Sequence, residues 1–424
     1  MTSPSGQRWR SLSRNHDFTV LWVGQTISDL GSRVSTFVYP LLGYGLTHSA
    51  AWAASVEAAY LLGMVGALLP AGVLAGRFDR RRIMRASSAI GVVLYASLVV
   101  AGAVGALTIG QLLAVALVTG VAAGLFSPAE MSAIRTIVPD DDMPTAMSQQ
   151  QARQHVAGLL GAPIGGALFA LARWAPFLFD AVSYAVAWVF LGRIRSDLSP
   201  TPGRAAPRPL RDVRDGLRFT WRQPFLRVLL FWSPLVNLTM NALFFVAILG
   251  LVQGGTAPTA IALVEVVGGL CGIAGAAVAP RLIDRIATGR LTLLVVWTML
   301  PLMLPMAFWS TPLVIAAALG VILLLNPAGN AGTSSYRMSI TPPELIGRVQ
   351  SAMQFTSMVT MPLAPVVAGA LLGWLGGRDA ILVLTFLTAL VALIPTLSRS
   401  VRSVPRPSEW ATAEPAERVT STAA

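Results

Sequence analysis

The sequence predicts an all-α membrane protein of twelve transmembrane helices in two six-helix repeats, with both termini in the cytoplasm. Three observations lead there. Hydrophobic residues make up 54% of the 424 and charged residues only 12%, with a mean hydropathy of +0.67; a soluble domain carries about twice that charge. Apolar runs of about 20 residues, the length that crosses a bilayer as a helix, recur twelve times. Two pairs of segments repeat at nearly constant spacing.

The spans are expected near 19–46, 52–75, 83–104, 109–128, 150–172, 174–192, 225–251, 258–280, 291–309, 312–332, 351–374 and 380–397. The runs are rich in Ala, Leu and Gly and lack the alternation of strands. They divide the chain into a cytoplasmic segment 1–18, a first half 19–192, a cytoplasmic linker 193–224, a second half 225–398 and a disordered cytoplasmic tail 399–424. The front of the linker is rich in Pro and Gly. Its back, Leu210 to Trp221, reads as a basic amphipathic helix on the membrane surface. "MTSPSGQRWRSLSRNHD" is polar and basic, so no cleavable signal is expected.

All 31 basic residues are arginine, and the formal net charge is +12. With the N-terminus inside, only Arg33, Arg173 and Arg378 fall away from the cytoplasmic side. That asymmetry is the positive-inside effect and assigns the arginines to topology, not to nucleic acid. It places the chain in the cytoplasmic membrane, with lipid around it. The single Cys271 excludes a disulfide framework. His16, His48 and His155 are scattered, and no zinc-protease, nucleophile-elbow or phosphate-loop pattern occurs, so no enzyme, metal site or cofactor is expected.

Residues 53–77 lie over 261–285 without gaps, matching Glu57 to Glu265, Leu74 to Leu282 and Arg77 to Arg285. Residues 138–168 lie over 341–371, matching Pro139 to Pro342, Ser148 to Ser351 and Gly166 to Gly369. Parallel repeats of this kind place a substrate site between the halves, near the midplane.

Asp29 and Arg33 sit four apart in the first span, on one helix face, where they can pair. Asp29 is ~15 Å into that helix, near the midplane. An acid there costs about 2.5–3.5 kcal/mol on insertion scales and marks a proton or cation site; the alternative is an ion pair that only fixes packing. Glu57 and Glu265, at equivalent positions near the outer ends of their spans, read equally well as protonation sites or as carboxylates snorkelling to the interface. Gln25, Asn237 and Asn241 are candidates to contact substrate or to bond between helices, as is Asn326. Asp180 reads as a packing residue. "GAPIGG", with Gly161, Pro163, Gly165 and Gly166, supplies close helix approach and a bend.

These motifs resemble the major facilitator superfamily. "GVLAGRFDRRR" (72–82) is similar to that family's loop between spans two and three, and "GAPIGG" to its span-five antiporter motif. Together with "VPDDDMPTAMS", they resemble the macrolide-efflux and enterobactin-exporter branch. The resemblance implies a fold of two six-helix halves and transport by alternating access, by a monomer. It also implies a conformational latch at Gly72, Arg77, Asp79, Arg80, Asp284 and Arg285. Gly76 stands where the family pattern has an acid, and Asp79 is the nearest substitute. Span four lacks the arginine of many proton-coupled drug antiporters. The expected function is proton-coupled efflux of a hydrophobic or amphipathic small molecule such as a drug, antibiotic or siderophore-like metabolite. The alternative is import of a polar nutrient, which the shortage of polar residues in the spans disfavours.

Overall fold

In the computed structural model the described residues are 12, 14–139, 142–199, 209–342 and 345–410. Among them every regular element is a helix. The long helices are α1 (His16–Thr47), α2 (Ala50–Arg77), α3 (Arg80–Ala103), α4 (Ile109–Ile137), α5 (Met143–Leu171) and α6 (Ala175–Gly192). After the linker come α7 (Pro209–Arg222), α8 (Pro224–Gln253), α9 (Pro258–Arg285), α10 (Thr288–Phe308) and α11 (Pro312–Ser339). The chain ends in α12 (Ile346–Val359), α13 (Leu363–Leu397) and α14 (Arg399–Arg402).

Among the described residues ten helical stretches are long and apolar enough to cross a membrane. The difference from the expected twelve lies at two places. Helix α1 has 32 residues but carries Asp17, Asp29 and Arg33, so it is not among the ten. The tenth stretch is 50 residues, Arg348–Leu397, and runs across α12 and α13. At ~1.5 Å per residue it is more than twice a ~30 Å bilayer core. Gly376 breaks it, with φ 77° and ψ 172°, a conformation open essentially to glycine alone.

The helices outrun their apolar cores. Helix α4 continues nine residues past 128, and α11 seven past 332. Hydropathy sees the part in hydrocarbon, whereas the backbone hydrogen bonds carry the helix beyond it. The amphipathic linker helix falls at α7 as expected, and Gly216 lets it lie against the Arg348 carbonyl at the start of α12. Residues 399–410 of the expected tail are ordered, with Val401 and Val404 buried and backbone N–H groups of Thr288 and Gly289 donating to Pro405 and Val404.

The chain groups into two compact units. The first holds residues up to Arg211 with Asn241–Val266 and Met358–Ala380; the second holds Asp212–Met240, Val267–Ser357 and residues from Ile381 onward. In the first unit α2 and α4 pack backbone to backbone, where Gly120 and Gly124 of α4 meet the carbonyls of Tyr60 and Met64. Helices α1, α3 and α6 share an aromatic core: Tyr39 and Tyr95 are joined hydroxyl to hydroxyl at 2.8 Å, and Tyr95 stacks on Phe177 and Tyr184. Asn15 caps α1 by accepting from Phe18 N and ties it to α4 by donating to the Ile137 carbonyl.

Asp17 fastens the stretch after α6 to the start of α1. Its carboxylate accepts from the backbone N–H groups of Arg195 (3.0 Å) and Ser196 (2.7 Å). Burial alone would raise its pKa, but the Ser196 hydroxyl, His16 and these two N–H groups outweigh that and hold it well below the usual carboxylate range. In the second unit the core of α8 (Phe225, Leu226, Leu229) packs with Val349, Met353, Val401 and Val404.

Candidate functional site

Asp29 does not pair with Arg33. Its partner is Arg153 of α5, whose Nε lies 2.9 Å from Asp29 Oδ2. The same guanidinium reaches α4, with Nη2 donating to Glu130 Oε1 at 2.9 Å. The result is an acid–arginine–acid triad joining α1, α5 and α4, all in the first unit.

The two arms differ. The Glu130 arm is an aligned hydrogen bond between side chains only 2% and 8% exposed. The Asp29 arm is a charge contact without hydrogen-bond alignment, and Asp29 is 31% exposed. Arg153 is therefore hydrogen-bonded to Glu130 and only in charge contact with Asp29. The triad holds two acids and one guanidinium, so it is one negative charge in excess when Asp29 is ionised and neutral when Asp29 is protonated.

Sequence reasoning missed both partners. Glu130 lies past the expected end of span four, and Arg153 was counted with the cytoplasmic arginines. The readable signal was an acid two residues beyond an apolar run that Pro128 does not terminate. Helix α4 carries Arg135 in its last turn, but the arginine that reaches Glu130 is Arg153 of α5.

Arg33 packs differently from expectation. Its stem lies on Gly161, where a Cβ would come within 2.5 Å of Arg33 Cβ. Its charge is within electrostatic reach of both Glu57 and Glu265. Glu57 is 6% exposed with Oε2 lacking a hydrogen-bond partner; Glu265 is partly buried and within reach of Glu57. The repeat-related acids thus share one region of the first unit with Arg33. Gln25 is buried on α1, with its amide nitrogen unpartnered. Asp180 is fully buried in α6 and accepts from Ser183 Oγ.

The span-five motif is a packing seam. Gly161 and Gly165 bring α5 onto Arg33, Val34 and Phe37 of α1, and Pro163 sits inside the helix. Gly166 lies against the Pro258 carbonyl and Ala262 of α9, as Gly369 of α13 lies against Ala50 and Ala54 of α2.

Asp79 and Arg80, of the latch residues, make local contacts. Asp79 is the N-cap of α3, accepting from Arg81 N, with Arg82 Nε 4.0 Å away. Arg80 donates to the carbonyls of Leu198 and Ser199, again holding the stretch after α6. Asp284 and Arg285 are exposed in the second unit and take part in none of the ion pairs among the described residues. The side-chain positions of Gly72, Gly76 and Arg77 lie outside the described residues. Asn241 belongs to the first unit, whereas Asn237 lines a cavity of the second together with Asn326.

The chain is 25% identical over 394 residues to the multidrug efflux pump Tap of Mycolicibacterium fortuitum, covering 88% of this chain and 93% of that protein. Its fold is similar to the crystal structure of the nucleoside transporter NupG, with a TM-score of 0.71, 11% identity and coverage of 90% of this chain and 98% of that one. It is also similar to a bacterial homologue of the iron transporter ferroportin, with a TM-score of 0.70, 16% identity and coverage of 91% and 98%. At such identities the structural likeness speaks for the fold alone. Residues 21–361, which include the triad and the glycine seam of α5, match the family model described as Major Facilitator Superfamily. This multi-pass membrane transporter belongs to the major facilitator superfamily.

Proposed function

We propose that this transporter exports a hydrophobic or amphipathic small molecule from the cytoplasm in exchange for protons. It works as a monomer in the cytoplasmic membrane, by alternating access of two six-helix halves. In this reading α1 is the first span, the break at Gly376 separates the last two, and both termini are cytoplasmic. The observation that carries the reading is the Asp29–Arg153–Glu130 triad. The 25% identity to a multidrug efflux pump supports the direction.

The chemistry follows from the unequal arms. Protonating Asp29 removes the attraction on the Asp29 side of Arg153 and leaves the Glu130 bond in place. It also removes the excess negative charge of the triad. A bound proton therefore changes which packing of α1 against α4 and α5 is lower in energy. A cationic group on a substrate competes for the same carboxylate, and that competition is the basis of exchange.

The second element is a closed outer end. By the arginine topology, Ala50–Ala54, Pro258–Ala262, Gly166 and Gly369 lie toward the outside, and they are in contact. Arg33 is within electrostatic reach of both Glu57 and Glu265. This supports a state closed to the outside, in which small residues let the helices separate and re-form the contact. Arg77, Asp284 and Arg285 then serve at the opposite, cytoplasmic end, in the state that closes there.

The test is Asp29→Asn in cells. Uphill, uncoupler-sensitive efflux is expected to disappear while the protein remains folded in the membrane. Efflux at the unsubstituted rate, or accumulation of a polar nutrient by the unsubstituted protein, would overturn the proposal.

A further inference from the structure

The second unit contains a cavity of about 270 Å³ between α8, α10, α11 and α12. One wall is apolar, formed by Trp232, Val295, Met299 and Met353. The other is a polar face of α11. Asn326, Asn330 and Ser334 are spaced by four along it, and Thr333 and Arg337 lie three beyond Asn330 and Ser334. Asn237 of α8 completes the polar set.

Among the described residues no carboxylate lines this cavity. Arg337 Nη2 donates to Ser334 Oγ at 2.9 Å and to Gln350 Oε1 at 2.6 Å, and both acceptors are neutral. None of the ion pairs among the described residues includes Arg337. A guanidinium has five N–H donors in a fork that matches a carboxylate, sulfonate or phosphate with two parallel bonds. A cavity with one cation and, among its described lining residues, no anion is completed by an oxyanion.

We infer that this cavity is a binding subsite for the oxyanion-bearing end of an amphipathic ligand, with Arg337 as the charge partner and Trp232 with its apolar neighbours as the wall for the ligand's ring or chain. The volume is just under the usual range for whole drug-sized ligands, about 300–1,000 Å³, so it holds one end of such a molecule. The inference deepens the transport reading by giving the cargo a second chemical feature beside the cationic one. It rests on that reading only for the ligand being cargo, since occupancy needs no transport.

The test reads charge selectivity directly. In a Cys271→Ser background, Asn330→Cys places a thiol in the cavity, and the protein is held in phosphatidylcholine nanodiscs. The rates of alkylation by iodoacetate and by neutral iodoacetamide are compared. Their ratio cancels the thiol's own ionisation. Adding Arg337→Gln is expected to lower the ratio about twofold or more, the Coulomb effect in water of one charge about 10.5 Å, two helical turns, away, and larger in a drier site. Arg337→Lys keeps the charge and is expected to keep most of the ratio, and a thiol from Thr311→Cys at the far end of α11 reports folding and shows no change. In the Arg337 protein, 8-anilinonaphthalene-1-sulfonate is expected to protect the thiol at 330, and ethidium is not. Protection by phosphatidylglycerol in place of phosphatidylcholine also supports the oxyanion chemistry, with a lipid headgroup as its source. An unchanged ratio in Arg337→Gln, or equal protection by ethidium, overturns the inference. Neither depends on whether protons drive efflux.

Discussion

The unequal arms of Arg153 separate a structural acid from a coupling acid, and Glu130→Gln and Asp29→Asn are expected to fail in opposite ways. The Glu130 side chain is 8% exposed, Arg153 2%, and the bond between them is aligned at 2.9 Å. Breaking a buried ion pair of this kind costs about 3–5 kcal/mol, because the remaining charge stays in the interior. At roughly 2 °C per kcal/mol for a large protein, the melting temperature falls by about 6–10 °C. Asp29 is 31% exposed and its contact lacks hydrogen-bond alignment, so its loss sits nearer the solvent-screened range of about 1 kcal/mol or less. The assay is thermal unfolding of both variants in nanodiscs beside energised efflux in cells. Glu130→Gln should melt early and retain some proton-coupled efflux where it folds; Asp29→Asn should melt near the unsubstituted protein and lose coupling. Equal melting shifts, or a larger shift for Asp29→Asn, would refute the assignment of the two arms.

Other outcomes follow from the same geometry. Gly161→Ala puts a Cβ 2.5 Å from Arg33 Cβ and 3.1 Å from its carbonyl carbon, so it should cost about 1–3 kcal/mol; an unchanged melt denies the close approach of α1 and α5. Gly376→Ala forces a side chain onto φ 77° and should cost about 1–3 kcal/mol, read by the same melt; neutrality would mean the break is not fixed there. Asp17 has a folded pKa below its unfolded one, so its contribution is complete above the ordinary aspartate value of ~3.9 and is lost as pH falls through and below it. The stability gap between the unsubstituted protein and Asp17→Asn should therefore shrink as pH drops from about 5, and parallel melting curves would contradict the hydrogen-bond set.

Most of the helices were legible because hydrocarbon imposes a length and an apolar composition on each one, and the α7 pattern needed only a basic amphipathic period. Helix ends were less legible. Beyond residue 128 the backbone of α4 continues on its own hydrogen bonds while polar side chains return, so Glu130 looked like loop. Arg153 lies at the cytoplasmic end of its expected span, where an arginine reads as a topology marker.

Spacing along one helix could say that Asp29 and Arg33 share a face, but not that an arginine from α5 would reach Asp29 first. That depends on the glycine seam, which lays α5 over the Arg33 stem. The repeat singled out Glu57 and Glu265 together. Their shared neighbour Arg33 needs three helices in register, which no local pattern encodes. The basic loop motif was visible as charge, but its partners, the N-cap at Asp79 and the carbonyls after α6, are fixed by where the chain returns.

The most direct test of the account uses inside-out membrane vesicles holding a proton gradient. Lipophilic cations, amphiphiles with an oxyanion, siderophores and sugars are added in turn, against vesicles without the transporter and vesicles with Asp29→Asn. The account predicts that an amphipathic class collapses the gradient in the first vesicles only. Collapse that persists with Asp29→Asn, or a response to sugars alone, would contradict it.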